Sequence, residues 1–452
     1  MTLIDPSIFK AYDVRGLYPG QINEDVTYQI GRAFVAYLRA RRLAVSRDMR
    51  LSSPTLAAAF IKGALRQGAD VADFGMMSTD MLYYAVAHDG FDGGAQITAS
   101  HNPKAYNGVK LVRRDAVPLS SDAGISDIRD MVSQDTIPDA PSASGQRRNV
   151  LLFEDYIEHV LSFIDVSAIR SYHLVLDAGN GMGGLIAPSL FERFPCQTTR
   201  LCCEIDGTFP NHDANPLIEE NRRDIVDRVV TDCADVGIAW DGDADRCFFI
   251  DSDGDFVPGD FVTALLAEAF LRKHPGAKII YDVRASYAVK DTVQACGGSA
   301  LMNRVGHAFF KDRMRKENAV FGGEVTGHYY FRNNFYADNG LIPALIILEL
   351  MSIKGQTLSE LLAPLRKKYF ISGEINTAMP DMSSVRRILD ELAHRYSSGR
   401  VYMMDGVSVE FPTWHFNVRP SNTEPLLRLN LEAKSGDLMA AKRAEVLALL
   451  RS

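Results

Sequence analysis

Long apolar runs are missing from this chain. The longest among its 452 residues is 341–348, eight residues interrupted by Pro343, against the about 20 that a bilayer-spanning helix requires. The N-terminus carries Asp5 and Pro6 where a secretory leader would need an unbroken apolar core. An excess of positive charge is missing too. Lys+Arg number 49 and Asp+Glu 57, a net charge of −8, which excludes the chain-wide basic footprint of a nucleic-acid or anionic-membrane binder. A local positive pocket for a small anion stays open. Cysteine is scarce: Cys196, Cys202, Cys203, Cys233, Cys247 and Cys296 form no C-x-x-C pair and no zinc-ribbon spacing, so they read as reduced thiols, mostly in cores. The expectation is a cytoplasmic protein with neither nucleic acid nor membrane among its partners.

What is present is ordinary globular material, 46% hydrophobic and 23% charged, long enough for two to four domains at about 100–200 residues each. Strand-like and helix-like segments alternate almost throughout, which predicts α/β architecture. Buried-strand patterns stand at 173–177, 236–240, 247–250 and 277–282, with helical patterns at 185–194, 261–271 and 287–295. The segment PDAPSASGQ at 138–146 has little to bury and reads as a linker. Past 369 the pattern becomes α+β: a strand at 372–377, a helix at 384–396, strands at 401–404 and 407–411 about an Asp405-Gly406 turn, and a last helix at 438–450. Four segments follow, 1–146, 147–250, 251–369 and 370–452, the first three α/β.

Four short motifs carry chemistry. In GAQITASHNP (94–103) a strand ends in a small-residue loop holding Ser100, His101 and Asn102. A hydroxyl outside a strand's carboxyl end is well placed to react, although the segment alone also fits a polar turn. In DGDADR (241–246) Asp241, Asp243 and Asp245 alternate directly after a strand, an arrangement that converges oxygen ligands on a hard cation such as Mg²⁺. An EF-hand is excluded, because its glycine and glutamate positions hold Arg246 and Ser252. A second triplet, Asp251, Asp253 and Asp255, reads as a solvated turn. In GGEVTGH (322–328) Glu324, Thr326 and His328 offer a carboxylate, a hydroxyl and an imidazole for sugar hydroxyls, or an incidental turn. In RPSNTEP (419–425) Arg419, Ser421, Asn422 and Thr423 form a candidate anion nest, with Arg428 one strand-length on.

Together the four describe phosphoryl transfer on a phosphosugar. With KAYDVRG (10–16), NGVK (107–110) and RVGH (304–307), they occur in an order that spans the chain and resembles the α-D-phosphohexomutase superfamily, its bacterial phosphomannomutase branch in particular. The resemblance implies a heart-shaped, four-domain enzyme with three related α/β mixed-sheet domains, a TATA-binding-protein-like α+β domain at the C-terminus, and the active site in a central cleft. It implies phosphoserine at Ser100, Mg²⁺ on Asp241, Asp243 and Asp245, Arg246 beside the phosphoserine, and Arg15, Lys110 and His101 near the transferring phosphoryl. Glu324 and Thr326 resemble the sugar readers, His307 and Arg284 match positions that line the family's sugar site, and Tyr12 sits where the family lines its cleft. Arg419, Ser421, Asn422 and Thr423 match the site for the phosphate that is not transferred.

Two places depart from the branch: Val325-Thr326 stands for Met-Ser, and DVRASY (282–287) for Asp-Pro-Arg-Leu-Thr-Trp. The activity so implied interconverts mannose 6-phosphate and mannose 1-phosphate through a hexose 1,6-bisphosphate, which also serves as activator. The alternatives are phosphoglucomutase or dual activity, phosphoglucosamine mutase, or a phosphosugar-binding protein without catalysis. Lys110 and His328 are both candidate general bases. Turnover of the bisphosphate requires an openable phosphate clamp, with a hinge expected near residue 369, in a monomer or a homodimer.

Overall fold

The computed structural model describes residues 4–421 and 426–451. The chain divides into two compact units, residues 1–257 with 326–358 and residues 258–325 with 359–452.

The first unit contains two sheets. One runs in the order Val14–Leu17, Tyr106–Arg113, Gly93–Ile97, Arg42–Arg47, Asp70–Met76 and Arg147–Asn149, with Val117–Pro118 paired to Tyr106–Arg113. Its central strands are buried along nearly their whole length, with small or apolar residues at most buried positions and Ser46 hydrogen-bonded to Gln96 where polar groups enter. They are sandwiched by helices such as Glu24–Leu38 and Ser53–Arg66, whose Ile30, Phe34, Leu56 and Phe60 enter the core. The other sheet runs Phe256–Val257, Cys247–Asp251, Val236–Trp240, His173–Asp177 and Gln197–Leu201. Its last three strands are parallel, and Cys247–Asp251 returns antiparallel to Val236–Trp240. That return makes 241–246 a hairpin loop.

Residues 326–358 add a short antiparallel pair, Tyr329–Phe331 with Ala337–Asp338, and the buried helix Ile342–Lys354. This excursion is tied down by Trp240 Nε1 donating to the Gly340 carbonyl at 2.7 Å and by Glu349 and Ser352, which accept from the backbone N–H groups of Asp165 and Arg170 at 2.8 and 3.1 Å. The segment expected at 251–369 is therefore shared between the two units.

In the second unit Ser299–Asn303, Lys278–Asp282 and Phe321–Gly323 form a parallel group. Helices Gly259–Lys273, Tyr287–Ala295 and His307–Glu317 belong with it. The C-terminal sheet is antiparallel, ordered Phe370–Ile371, Leu426–Ala433, Trp414–Pro420, Val407–Glu410 and Arg400–Tyr402, with Ile375–Ala378 also on Leu426–Ala433. Helices Met382–Arg395 and Gly436–Leu450 pack through Ile388, Leu392, Val446 and Leu450 onto Trp414, Phe416, Leu429 and Leu431, the α+β module expected at the C-terminus.

Four sequence readings are corrected. Arg147–Asn149 pairs with Asp70–Met76, so the first sheet runs past the boundary expected at 146. The linker 138–146 is bonded along that region: the Pro138 carbonyl accepts from Arg32 and Gln67, and Gly145 N–H donates to the Leu65 carbonyl. Only Cys247 is buried, while Cys233 is exposed and the other four are half-buried, because these thiols fall at strand ends and helix ends. The 251–255 segment is a turn, but Asp251 is fully buried at the end of its strand and its carboxylate accepts from the N–H groups of Asp253 and Asp255, both at 3.0 Å. Among the described residues no single helix is long and apolar enough to cross a membrane.

Candidate active site

Strand Gly93–Ile97 delivers the Ser100 loop, and its antiparallel neighbour carries Lys110 opposite Gln96. Ser100 is 3% exposed and holds a left-handed backbone, φ 50°, a conformation that strains any residue with a Cβ and survives only where the surroundings enforce it. Arg50 does the enforcing. Its buried guanidinium donates to the carbonyls of Ser100, Asn102, Pro103 and Tyr106 at 2.6–3.1 Å, and Asp48 holds its Nε at 3.2 Å. Arg15 adds a 2.6 Å bond to Asn102 Oδ1 and pairs with Asp13.

The 241–246 loop meets this one backbone to backbone: a Cβ at Gly242 would lie 2.5 Å from the Ser100 carbonyl oxygen, so that position tolerates glycine alone. Ser100 Oγ donates to Asp241 Oδ2 at 2.9 Å and lies 3.2 Å from His101 Nδ1. Arg246 grips the same Asp241 oxygen through Nε at 2.9 Å and Nη2 at 2.8 Å. Lys110 Nζ donates to Asp243 and Asp245, each at 2.6 Å, and Thr79 Oγ1 donates to Asp243. His328 Nδ1 stands 3.0 Å from Asp338 Oδ2 and 3.9 Å from Asp245.

Charge follows from this geometry. Desolvation works against ionised Asp243, but Lys110 outweighs it and holds the carboxyl below its usual range. Asp245 is pushed up, by burial first and by the Asp243 charge second. Burial opposes the charge on Lys110, and its two carboxylates overcome that and hold it firmly as a cation. His101 goes the other way, to the neutral form, through burial and the nearby Arg246, Arg15 and Lys110. His328 is raised: burial opposes its charge, but Asp245 and Asp338 outweigh it.

Three carboxylates thus face two cations, Lys110 and Arg246. Asp243 Oδ1 and Asp245 Oδ1 are buried without a hydrogen-bond partner, and oxygens of the three aspartates lie within 4.8 Å of one another. Surplus negative charge and orphaned hard acceptors, converging at one point, are what a divalent cation fits.

The second unit gathers guanidinium groups. Arg284 follows strand Lys278–Asp282 and is clamped by Asp282 at 3.1 and 2.9 Å. Arg419 and Arg428 are direct cross-strand partners. Glu374 bridges all three, with Arg284 at 3.4 Å, Arg419 at 3.3 Å and Arg428 at 3.0 Å, and the Nε atoms of Arg419 and Arg428 are buried without a partner. This is an oxyanion-shaped arrangement. Glu324, buried, accepts from the Gly306 N–H at 3.1 Å at the start of helix His307–Glu317 and lies 3.7 Å from Arg284.

The expected residues therefore divide. Ser100, His101, Lys110, Arg15, Arg246 and the three aspartates come together in the first unit, joined by His328, with Thr326 and Tyr12 also in that unit and half-buried. Arg284, His307, Glu324, Arg419 and Ser421 belong to the second. Asn422 and Thr423 lie outside the described residues. Sequence reading missed Arg50, Thr79, Asp338 and Glu374. A signal existed for Arg50: Asp48-x-Arg50 repeats the Asp282-x-Arg284 pattern after a parallel strand.

Comparison with known proteins gives a consistent picture. Models of the phosphoglucomutase/phosphomannomutase alpha/beta/alpha domains I, II and III match residues 6–137, 154–254 and 258–369, and the C-terminal domain model matches 374–449. The chain is similar to a phosphomannomutase of Escherichia coli, 41% identical over 98% of this chain and 99% of that one. It is similar to a protein of Xanthomonas campestris pv. campestris named for phosphohexose mutases, 43% identical over 98% and 99%. A crystal structure of a phosphoglucomutase/phosphomannomutase family protein from Burkholderia thailandensis superposes with a TM-score of 0.90 at 33% identity, covering 99% of this chain and 98% of that one.

Proposed function

The chain belongs to the phosphoglucomutase/phosphomannomutase family, and on that footing we propose that it interconverts mannose 6-phosphate and mannose 1-phosphate through phosphorylated Ser100 and a hexose 1,6-bisphosphate. The observation that carries the reading is the Ser100 hydroxyl, held 2.9 Å from Asp241 in a left-handed backbone beside the two partnerless carboxylate oxygens.

Asp241, Asp243 and Asp245, with the phosphoryl group on Ser100, would hold Mg²⁺, whose chemistry when bound is to offset charge on the phosphoryl oxygens. The chain's own residues do the rest. Arg246, Lys110 and Arg15 supply fixed positive charge where the equatorial oxygens gather it, and a neutral His101 adds a polar contact without competing for a proton. The hydroxyl of a hexose phosphate attacks phosphorus, the Ser100 Oγ–P bond breaks, and the sugar proton must leave. Lys110, locked between two carboxylates, gives up its proton reluctantly. The base is therefore His328, oriented on Nδ1 by Asp338. The bisphosphate then returns its other phosphoryl to Ser100. Glu324, Thr326, His307 and Tyr12 read the sugar hydroxyls. Arg284, Arg419, Arg428 and Ser421, with Asn422 and Thr423, take the phosphate that is not transferred, an oxyanion replacing Glu374 between the guanidinium groups.

Mannose is the sugar in the names of the phosphomannomutase relatives, whereas Val325-Thr326 and the 282–287 segment depart from that branch and the Xanthomonas relative is named for phosphohexoses in general. A coupled assay on mannose 1-phosphate and glucose 1-phosphate decides between them. The reading expects a higher kcat/KM for mannose 1-phosphate, dependence on Mg²⁺, and loss of activity in Ser100→Ala with bisphosphate supplied. A Ser100→Ala enzyme of undiminished activity overturns it.

A further inference from the structure

Three parallel strands end in the same turn. Asp48 accepts from the Arg50 N–H at 3.0 Å, Asp177 from the Gly179 N–H at 2.9 Å, and Asp282 from the Arg284 N–H at 2.7 Å. In the first and third, the arginine side chain also neutralises the aspartate. At the second, glycine stands in the arginine position and that cation is lost. Asp177 nevertheless stays 2% exposed, and a buried carboxylate needs another positive partner.

The groups that replace the arginine are His212 and Cys202. Asp177 pairs in register with Leu201, so the end of the neighbouring strand delivers Cys202 alongside it. Residues 203–211 then loop around to bring His212 Nε2 within 3.2 Å of Asp177 Oδ2. The ring lies over Gly179, where a Cβ would approach its Cε1 at 3.5 Å. Donor atoms of Asp177, Cys202 and His212 all fall within 4.8 Å of one another.

We propose that Asp177, Cys202 and His212 form a second metal site, separate from the aspartate triplet and selective for Zn²⁺. One carboxylate, one thiolate and one imidazole are the donor set of a borderline ion and not of Mg²⁺. Bond lengths of about 2.0 Å to nitrogen and 2.3 Å to sulfur suit donors at this spacing. The outer contacts also fit: Gly179 N–H fixes Asp177 Oδ1, and His212 Nδ1 lies 3.0 Å from the Asp213 carbonyl oxygen, which leaves Nε2 facing the other two donors. On binding, Zn²⁺ replaces the proton on Nε2 and the proton on the Cys202 thiol, both of which pass to solvent, and water completes the fourth position. Without metal the site answers with a proton instead: burial opposes charge on His212, but its bonds to Asp177 and Cys202 push it up to about 11.

The ion acts as a clip on the 202–218 loop. That loop places the Phe209 ring 5.3 Å from the Arg50 guanidinium, which holds the Ser100 loop, and Ala214 beside Gly242. Titrating the metal-stripped full chain with Co²⁺ under excess Mg²⁺, then exchanging Co²⁺ for Zn²⁺, tests the assignment. A thiolate-to-cobalt charge-transfer band saturating at one equivalent is expected, lost in Cys202→Ser and in His212→Gln but kept in Cys203→Ser, with Zn²⁺ affinity at least about a hundredfold weaker in the first two. Absence of the band in the wild-type chain, or its survival in Cys202→Ser, overturns the site. Neither outcome bears on the mutase reading, because no activity is measured.

Discussion

Single residues set the chemistry, and one pairing makes a sharp test. Asp338 Oδ2 lies 3.0 Å from His328 Nδ1 and helps raise the imidazole's affinity for a proton against the penalty of burial. Replacing Asp338 by Asn removes that support, so the His328 pKa falls. Because a base works in its neutral form, the acid limb of the kcat/KM profile should move to lower pH, while kcat itself drops by about tenfold to a hundredfold as the weaker, less oriented base is used. A pH profile of Asp338→Asn beside the wild-type chain checks both. A lowered kcat with an unmoved acid limb would remove His328 from the base role. Ser100, the three aspartates and Arg419 were legible because each sits in a short motif at the end of a strand. Asp338 was not, since it reaches His328 only through the short hairpin that sets it opposite Tyr330. Arg50 left only the Asp48-x-Arg50 pattern as a clue, because its carbonyl acceptors lie 50 to 56 positions along the chain. Tertiary pairing of that kind leaves no local trace in composition or periodicity.

At the scale of elements, strand ends and the loops they launch do the positioning. The alternation of buried strands and helices was readable, and 287–295 and 173–177 fall where the pattern places them. Helix 185–194 begins two residues earlier, at Gly183–Phe191, because the glycine turn itself starts the helix. The strand Arg147–Asn149 was missed: it is short, wholly exposed and polar, so no apolar alternation marks it. Loop-to-loop contact explains Gly242, whose missing side chain lets the Ser100 and aspartate loops meet. Gly242→Ala would force those loops apart by a fraction of an ångström to an ångström. Displacement of that size costs about a hundredfold in rate, so kcat should fall by that order, and because the clash is with backbone the melting temperature should fall with it. Steady-state kinetics paired with calorimetry checks this; an alanine variant with wild-type kcat would show the loop contact to be incidental.

For the whole molecule, the chain crosses between its two units at 257/258, 325/326 and 358/359. The GGEVTGH motif straddles the middle crossing, so Glu324 and His328, neighbours in sequence, serve different units. Sequence alone presents them as one sugar-reading loop; the structure sets Glu324 beside Arg284 and His328 beside Asp245 and Asp338. The family, the α/β character and the α+β terminus were legible from motifs in fixed order, while this partition was not, because no composition shift marks 325/326. The central claim concerns the first unit: Ser100 carries the phosphoryl group. The direct measurement is peptide-level mass spectrometry of the full chain after incubation with glucose 1,6-bisphosphate and Mg²⁺, followed by a chase with mannose 1-phosphate. The account expects a single phosphoryl group, on Ser100, that leaves during the chase as hexose bisphosphate forms. A phosphoryl group on any other residue, or one on Ser100 that the sugar phosphate never removes, would contradict it.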